Sequence, residues 1–230
     1  MNKVAIVTGA SGNLGQAVVK KFILEGYTVI GTVIPNDPIV LNFPANRFEA
    51  MVVDLLNEAD STNLVNTVVK KYGSVDVAVL TVGGFAMGTI KNTPGSDILK
   101  QYKLNFETTY NVIQPSFVQM IKQNNGRIFI IGSRPGLAAW HSSGMVAYGL
   151  AKSLVVRLAE LINLEAKGHN VVASVVVPST IDTPQNRISM PDANFDGWVK
   201  PEDIANVIFY HCTAEAASLR ETVIKVYNNA

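Results

Sequence analysis

The chain reads as an α/β protein built on a doubly wound, parallel, seven-stranded sheet with helices on both faces. Three observations predict this. Short runs rich in Val and Ile alternate with longer amphipathic stretches over all 230 residues, the pattern of strands joined by crossover helices. The short runs are continuously apolar, as in strands buried on both faces. No linker, composition break or internal repeat divides the chain, so residues 1–230 read as one domain.

The elements follow in order. Residues 4–7 form the first strand. Residues 16–24 form a helix, with Ala17, Val18, Phe22 and Ile23 apolar among lysines. Residues 27–34 and 48–53 are the second and third strands. A helix at 60–71 carries Leu64, Val65, Val68 and Val69 on one side, and a fourth strand follows at 75–80. Residues 98–122 form a long helix in which Pro115 predicts a kink. The turn Asn124-Asn125-Gly126 leads into strand five at 127–131. A second long helix, 143–166, is ended by Gly168. Strand six spans 170–177 and is halted by Pro178; a helix at 202–210 and a strand at 222–227 complete the chain. The connection at 179–200 is long for a compact fold and reads as a substrate-binding lid.

Composition excludes several function classes. Hydrophobic residues make up 48% and charged residues 16%, with a net charge of +1. This excludes a disordered chain and argues against a nucleic-acid-binding or polybasic membrane surface. The lone Cys212 permits no intrachain disulfide and no cysteine metal cluster. His141, His169 and His211 lack ligand spacing, so no metal site is expected. The apolar stretch 4–7 is too short for a signal core, and no run is long enough to span a bilayer. The expected location is the cytoplasm.

Strand one runs directly into Thr8-Gly9-Ala10-Ser11-Gly12-Asn13-Leu14-Gly15, followed by a helix. Glycines 9, 12 and 15 allow a tight turn and a close approach to a pyrophosphate, which the helix N-terminus meets with free amides. A Walker-type loop is excluded because no Gly-Lys-Ser/Thr is present. Further on, Tyr148 and Lys152 are spaced i, i+4 on a helix and share one face. A neighbouring ammonium and the helix N-terminus both favour a phenolate, so the spacing predicts a lowered Tyr148 pKa and a phenol able to exchange a proton.

These motifs resemble the short-chain dehydrogenase/reductase superfamily, a Rossmann-fold group of NAD(P)-dependent enzymes. Here Gly12 replaces the glycine that the commonest family pattern has at Asn13. The resemblance implies a hydride transfer between nicotinamide and a carbonyl or quinonoid-imine substrate. It assigns the catalytic set Asn105, Ser133, Tyr148 and Lys152, with Tyr148 as proton donor or acceptor. It assigns cofactor contacts to Gly9, Ser11, Gly12, Asn13, Leu14, Gly15, Asp54, Leu55, Gly83, Tyr148, Lys152, Pro178, Ile181 and Thr183. Ser179 stands where the family has glycine after Pro178. Fifteen residues separate Ser133 from Tyr148, two more than the family's usual spacing, which places an insertion around Trp140-His141. Ser142 and Ser143 read as helix caps.

Segments at 83–85, 144–152 and 182–198 look like the dihydropteridine reductase branch. Phe85, Trp140, Phe195 and Trp198 read either as a pocket for a flat substrate or as plain packing. Val33 stands where an NAD-preferring fold places an acid, and Asp37 comes late, so the cofactor is NAD(P)H with NADP favoured. The resemblance also implies a homodimer or homotetramer through the two long helices. The alternative to an enzyme is a non-catalytic NAD(P)-binding sensor or regulatory protein.

Overall fold

The computed structural model describes residues 3–39 and 41–229; Met1, Asn2, Val40 and Ala230 lie outside the description. Seven parallel strands form one sheet in the order β3-β2-β1-β4-β5-β6-β7. They are β1 (Val4–Thr8), β2 (Thr28–Val33), β3 (Phe48–Val52), β4 (Val77–Leu80), β5 (Gly126–Ile131), β6 (Val171–Pro178) and β7 (Val223–Val226). The order reverses direction between β1 and β4. In open α/β sheets a crevice forms at that point, outside the carboxyl ends of the strands.

Both faces of the sheet are covered, which explains the unbroken apolar runs. On one face Val4 and Ile6 of β1, and Ala78 and Leu80 of β4, pack with Leu64, Val112 and Val155. These belong to α2 (Glu58–Tyr72) and to two long helices described below. On the other face Ala5, Val7, Val77 and Val79 pack with Val18, Phe22, Ile204 and Ile208, from α1 (Asn13–Leu24) and the C-terminal helix Pro201–Tyr210. Phe22 is fully buried and meets Tyr27 and Phe209 edge-on, with ring centroids 5.0 and 5.6 Å away. Truncating such a ring to alanine costs about 3–5 kcal/mol.

Local chemistry sets the helix ends. Asn57 caps α2 by accepting from the Ala59 and Asp60 amides, and Gly73 ends it in the left-handed region. The first long helix departs from expectation. It comprises α3 (Gly95–Tyr102), a π-helical turn (Lys103–Glu107) and α4 (Thr108–Gln123). It runs through Pro115 as α-helix, and the irregular turn lies earlier, around Asn105. There the Thr108 amide reaches back five residues to Lys103 O.

After β5 come a short helix α5 (Arg134–Leu137), a 3₁₀ turn (Ala139–His141) and α6 (Val146–Glu165). The second long helix therefore starts at Val146, with Met145 at its N-cap and no side chain capping it. Ser142 and Ser143 are not its caps. Ser142 Oγ instead donates to Pro135 O at 2.7 Å, holding the inserted turn against α5. The lid region contains α7 (Pro184–Ser189) and a 3₁₀ turn (Phe195–Gly197) before α8 (Pro201–Tyr210).

Candidate active site

The glycine loop lies at the carboxyl end of β1, beside the end of β2. Ala10 N donates to Thr32 O at 3.0 Å and Gly9 N to Thr32 Oγ1 at 3.3 Å. A Cβ on Gly15 would stand 2.1 Å from Gly9 O, so α1 enters closer to the loop than any side chain permits. No side chain caps α1, leaving its first-turn amides and positive dipole end to an anion. The residues present fit a dinucleotide pyrophosphate. Leu14 is buried in the core, and Asn13 Nδ2 donates to Gln185 Oε1 of the lid at 2.9 Å.

Ser11 is engaged in a way its sequence does not reveal. Its hydroxyl donates to the Asp37 carboxylate. Asn36 adopts a left-handed conformation (φ 57°), and Asp37 folds back beside the loop, where it also accepts from Ile39 N at 3.0 Å. These two bonds hold its carboxyl below the usual range. The acid missing from the end of β2 therefore approaches the loop from the following turn.

Asp54 closes a turn after β3: its Oδ1 accepts from Leu56 N at 3.0 Å. Leu55 is a core residue, and its carbonyl accepts from Asn111 Nδ2 at 2.9 Å. Both contacts correspond to packing and turn roles.

Asn105, Ser133, Tyr148 and Lys152 sit on the π-turn, the end of β5 and the start of α6. Gly83, after β4, is the point of convergence of two of them. A Cβ there would lie 2.7 Å from Asn105 Oδ1 and 3.2 Å from Lys152 Nζ. The Asn105 side chain is fully used: Nδ2 donates to Gly84 O (3.0 Å) and to Gln101 Oε1 (2.8 Å), and Oδ1 accepts from Gly84 N (3.1 Å). Gln101 is itself buried. It is a site residue that sequence reading missed, although its i, i+4 spacing from Asn105 was available as a signal.

Lys152 is 5% exposed and donates through Nζ to Ile131 O at 2.7 Å. Nζ lies 6.0 Å from the Tyr148 ring centroid. Ser133 Oγ is buried with no partner at good hydrogen-bond geometry, yet lies close enough to the Tyr148 phenol to favour its ionised form.

The electrostatics correct the sequence expectation. The Tyr148 phenol is pushed up, because burial outweighs the help from Ser133. Burial also pushes the Lys152 ammonium from 10.5 down to about 8. An i, i+4 face puts the two side chains on the same side, but the tertiary structure encloses both and ties the ammonium to a backbone carbonyl. Desolvation sets the direction of both shifts.

The lid is a folded unit. Its base closes through Val199 N to Thr180 O (2.9 Å) and Asp182 N to Val199 O (2.8 Å). Pro178 pairs with Val226 at the end of β6, and Ser179 Oγ donates to Tyr227 O at 2.8 Å. Ile181 O accepts from Asn186 Nδ2 at 2.8 Å, and Thr183 Oγ1 caps α7 by accepting from Asn186 N at 3.2 Å. Trp198 is buried against Phe195, centroids 4.7 Å apart, and the Arg187 guanidinium covers Phe195 while pairing with Asp182. Phe195 and Trp198 are thus lid packing. Phe85 meets the Tyr148 ring at 5.2 Å, and Trp140 projects outward from the inserted turn.

Among the described residues no helix is long and apolar enough to cross a membrane. Comparison with known proteins agrees with this geometry. The family model for short chain dehydrogenase matches residues 3–193. The 3-oxoacyl-[acyl-carrier-protein] reductase FabG of Thermotoga maritima is 26% identical, covering 97% of this chain and 96% of its own. Dihydropteridine reductase of Dictyostelium discoideum is 27% identical, covering 91% and 88%. Among solved structures, ElxO with NADP bound superposes with a TM-score of 0.89 over 98% of this chain and 97% of its own, at 22% identity, a likeness of fold. The chain belongs to the short-chain dehydrogenase family of oxidoreductases.

Proposed function

We propose that the protein is an NAD(P)H-dependent reductase acting on a carbonyl or quinonoid-imine substrate, with Tyr148 as proton donor. The observation that carries this is the Tyr148 phenol, drawn into the site beside the Ser133 hydroxyl, together with the buried Lys152 ammonium. When bound, a reduced nicotinamide cofactor would be held by the glycine loop and the start of α1, with Ile181 and Thr183 available to its amide, and would supply the hydride. Ser133 Oγ then donates to the substrate oxygen or nitrogen and orients it. Tyr148 Oη delivers the proton to that same atom, so a C=O or C=N bond gains one hydride and one proton. Burial keeps the proton on Tyr148 at neutral pH but makes the phenol a weaker acid, so proton delivery depends on Ser133 favouring the ionised form. Lys152, anchored on Ile131 O, restores charge balance as the phenol ionises.

Val33 offers no carboxylate at the end of β2, which favours NADPH. Asp37 beside Ser11 is the observation that favours NADH instead, since a carboxylate there would repel a 2′-phosphate. Titration with both reduced cofactors decides between them, and a clear preference for NADH overturns the first reading. Dihydropteridine reduction is one candidate activity, supported by the lid's resemblance to that branch and the 27% identical relative. We also infer a homodimer or homotetramer in the cytoplasm. Its support is the exposed Tyr110 and Val118 on α4, with Leu150, Leu154, Leu161 and Leu164 on α6.

The deciding experiment is Tyr148→Phe. Turnover should be lost while cofactor affinity stays nearly intact; undiminished turnover refutes the role and favours the non-catalytic NAD(P)-binding alternative.

A further inference from the structure

We propose that a cavity between α1, the lid helix α7 and the start of α8 is a second binding site, for a small organic anion with an apolar body and a carboxylate or phosphate head, and that its occupant fastens the lid to α1. The consequence for the cofactor rests on the reading that the glycine loop and the start of α1 hold it.

The cavity has a volume of about 690 Å³, within the range of about 300–1,000 Å³ that small-molecule sites occupy. It is not the cleft at Tyr148: of the described residues assigned to cofactor contact, Asn13 alone lines it. Ala17, Phe43, Pro184 and Pro201 give it apolar walls. Its charges do not balance. Arg187 and Asp182 satisfy each other through bonds of 2.6 and 2.8 Å. That leaves Lys20 and Lys200 against Glu202, an excess of one positive charge. Among the described residues none of these three makes an ion pair. The Asp182 carboxyl is held below its usual range chiefly by Arg187 and further by Lys200, so the field of Lys200 reaches into this space.

The two free ammoniums stand on different elements. Lys20 is on α1, and Lys200 ends the lid as the N-cap residue of α8. One side-chain bond already joins α1 to α7, from Asn13 Nδ2 to Gln185 Oε1 at 2.9 Å; both residues are exposed, so water competes for it and it holds the lid weakly. An anion taken by Lys20 and Lys200 ties the lid to α1 a second time, through charge-assisted bonds about twice as strong as neutral ones. Its body covers the apolar walls and leaves water. A neutral ligand leaves the excess charge unpaired, and a cation is repelled by it. Fastening the lid to α1 tightens the hold on a cofactor at the first turn of that helix. By linkage, the cofactor tightens the anion by the same factor.

The test is calorimetric titration with phenylacetate and with phenyl phosphate, with benzyl alcohol as the uncharged control, in the presence and absence of whichever of NADPH and NADH binds tighter. An anion should bind with one-to-one stoichiometry while the cofactor is bound, and benzyl alcohol should not. Cofactor affinity should rise about fivefold with the anion present, and anion affinity by the same factor with the cofactor present. Lys20→Ala with Lys200→Ala should weaken the anion at least about tenfold. Glu202→Gln should tighten it about threefold by removing the opposing carboxylate, a gain that damage to the fold cannot imitate. Binding of neither anion, displacement of the anion by cofactor, equal binding of benzyl alcohol, or unchanged anion affinity in both variants overturns the site and leaves the cofactor reading intact. Equal cofactor affinity with and without the bound anion overturns the fastening of the lid. A protein that binds the anion but neither reduced cofactor overturns the cofactor reading instead.

Discussion

Replacing Lys152 with methionine should stabilise the fold at neutral pH while destroying turnover. The ammonium is 5% exposed, its one hydrogen bond goes to Ile131 O, and burial pushes it from 10.5 down to about 8. Each tenfold loss of proton affinity is worth about 1.4 kcal/mol, so holding Lys152 charged costs the fold about 3 kcal/mol at pH 7. Methionine removes that cost but leaves the Ile131 carbonyl without its partner, which returns about 1–2 kcal/mol. The net gain is about 1–2 kcal/mol. The sign with pH follows from the unfolded chain binding more protons between pH 8 and 10.5. Below about 8 the wild-type penalty is complete; it is relieved as pH rises towards 10.5. Urea unfolding of both proteins at pH 7 and pH 10 should therefore show the wild type gaining about 2–3 kcal/mol on the variant over that interval. Parallel pH dependence in the two proteins would refute the buried, charged state of Lys152.

The remaining predictions concern other parts of the site. Ser133→Ala should lower kcat by about 100-fold yet leave the urea midpoint unchanged or higher, because the hydroxyl it removes has no well-formed hydrogen bond; a lower midpoint argues against this geometry. Gly15→Ala forces a methyl onto Gly9 O and should weaken NADPH binding at least about tenfold, as read by fluorescence titration. Gln101→Leu should lower kcat by about tenfold with cofactor affinity retained, by freeing Asn105 from its 2.8 Å partner. Leu154→Glu, on the exposed face of α6, should reduce the mass measured by light scattering, and an unchanged mass argues against that face as the subunit contact.

Several sequence expectations missed for one kind of reason. Local rules placed the irregularity of the long helix at Pro115 and assigned Ser142 as a cap. The fold adds a π-turn at Lys103–Glu107, where the Asn105 side chain bonds to Gly84 and Gln101. It gave Ser142 to Pro135 because the insertion had to be held down. Asp37 looked too late in the chain to matter, until the turn at Asn36 returned it to Ser11. The choice between pocket and packing for the four aromatic residues could not be made from spacing either, since Phe195 and Trp198 differ from Phe85 only in what folds over them.

The sequence by itself determined the parallel sheet, the helices on both faces and the glycine loop ahead of α1. These depend on the run of apolar residues and on backbone geometry within a few residues, both of which are written locally. It also placed Tyr148 and Lys152 on one helix face, because a 3.6-residue period is a local property. Only the tertiary structure decided the charge balance there. Burial of the phenol and the ammonium comes from the end of β5, the π-turn and the segment after β4. A pKa depends on everything within a few ångströms, so its direction waited on residues far apart in the chain.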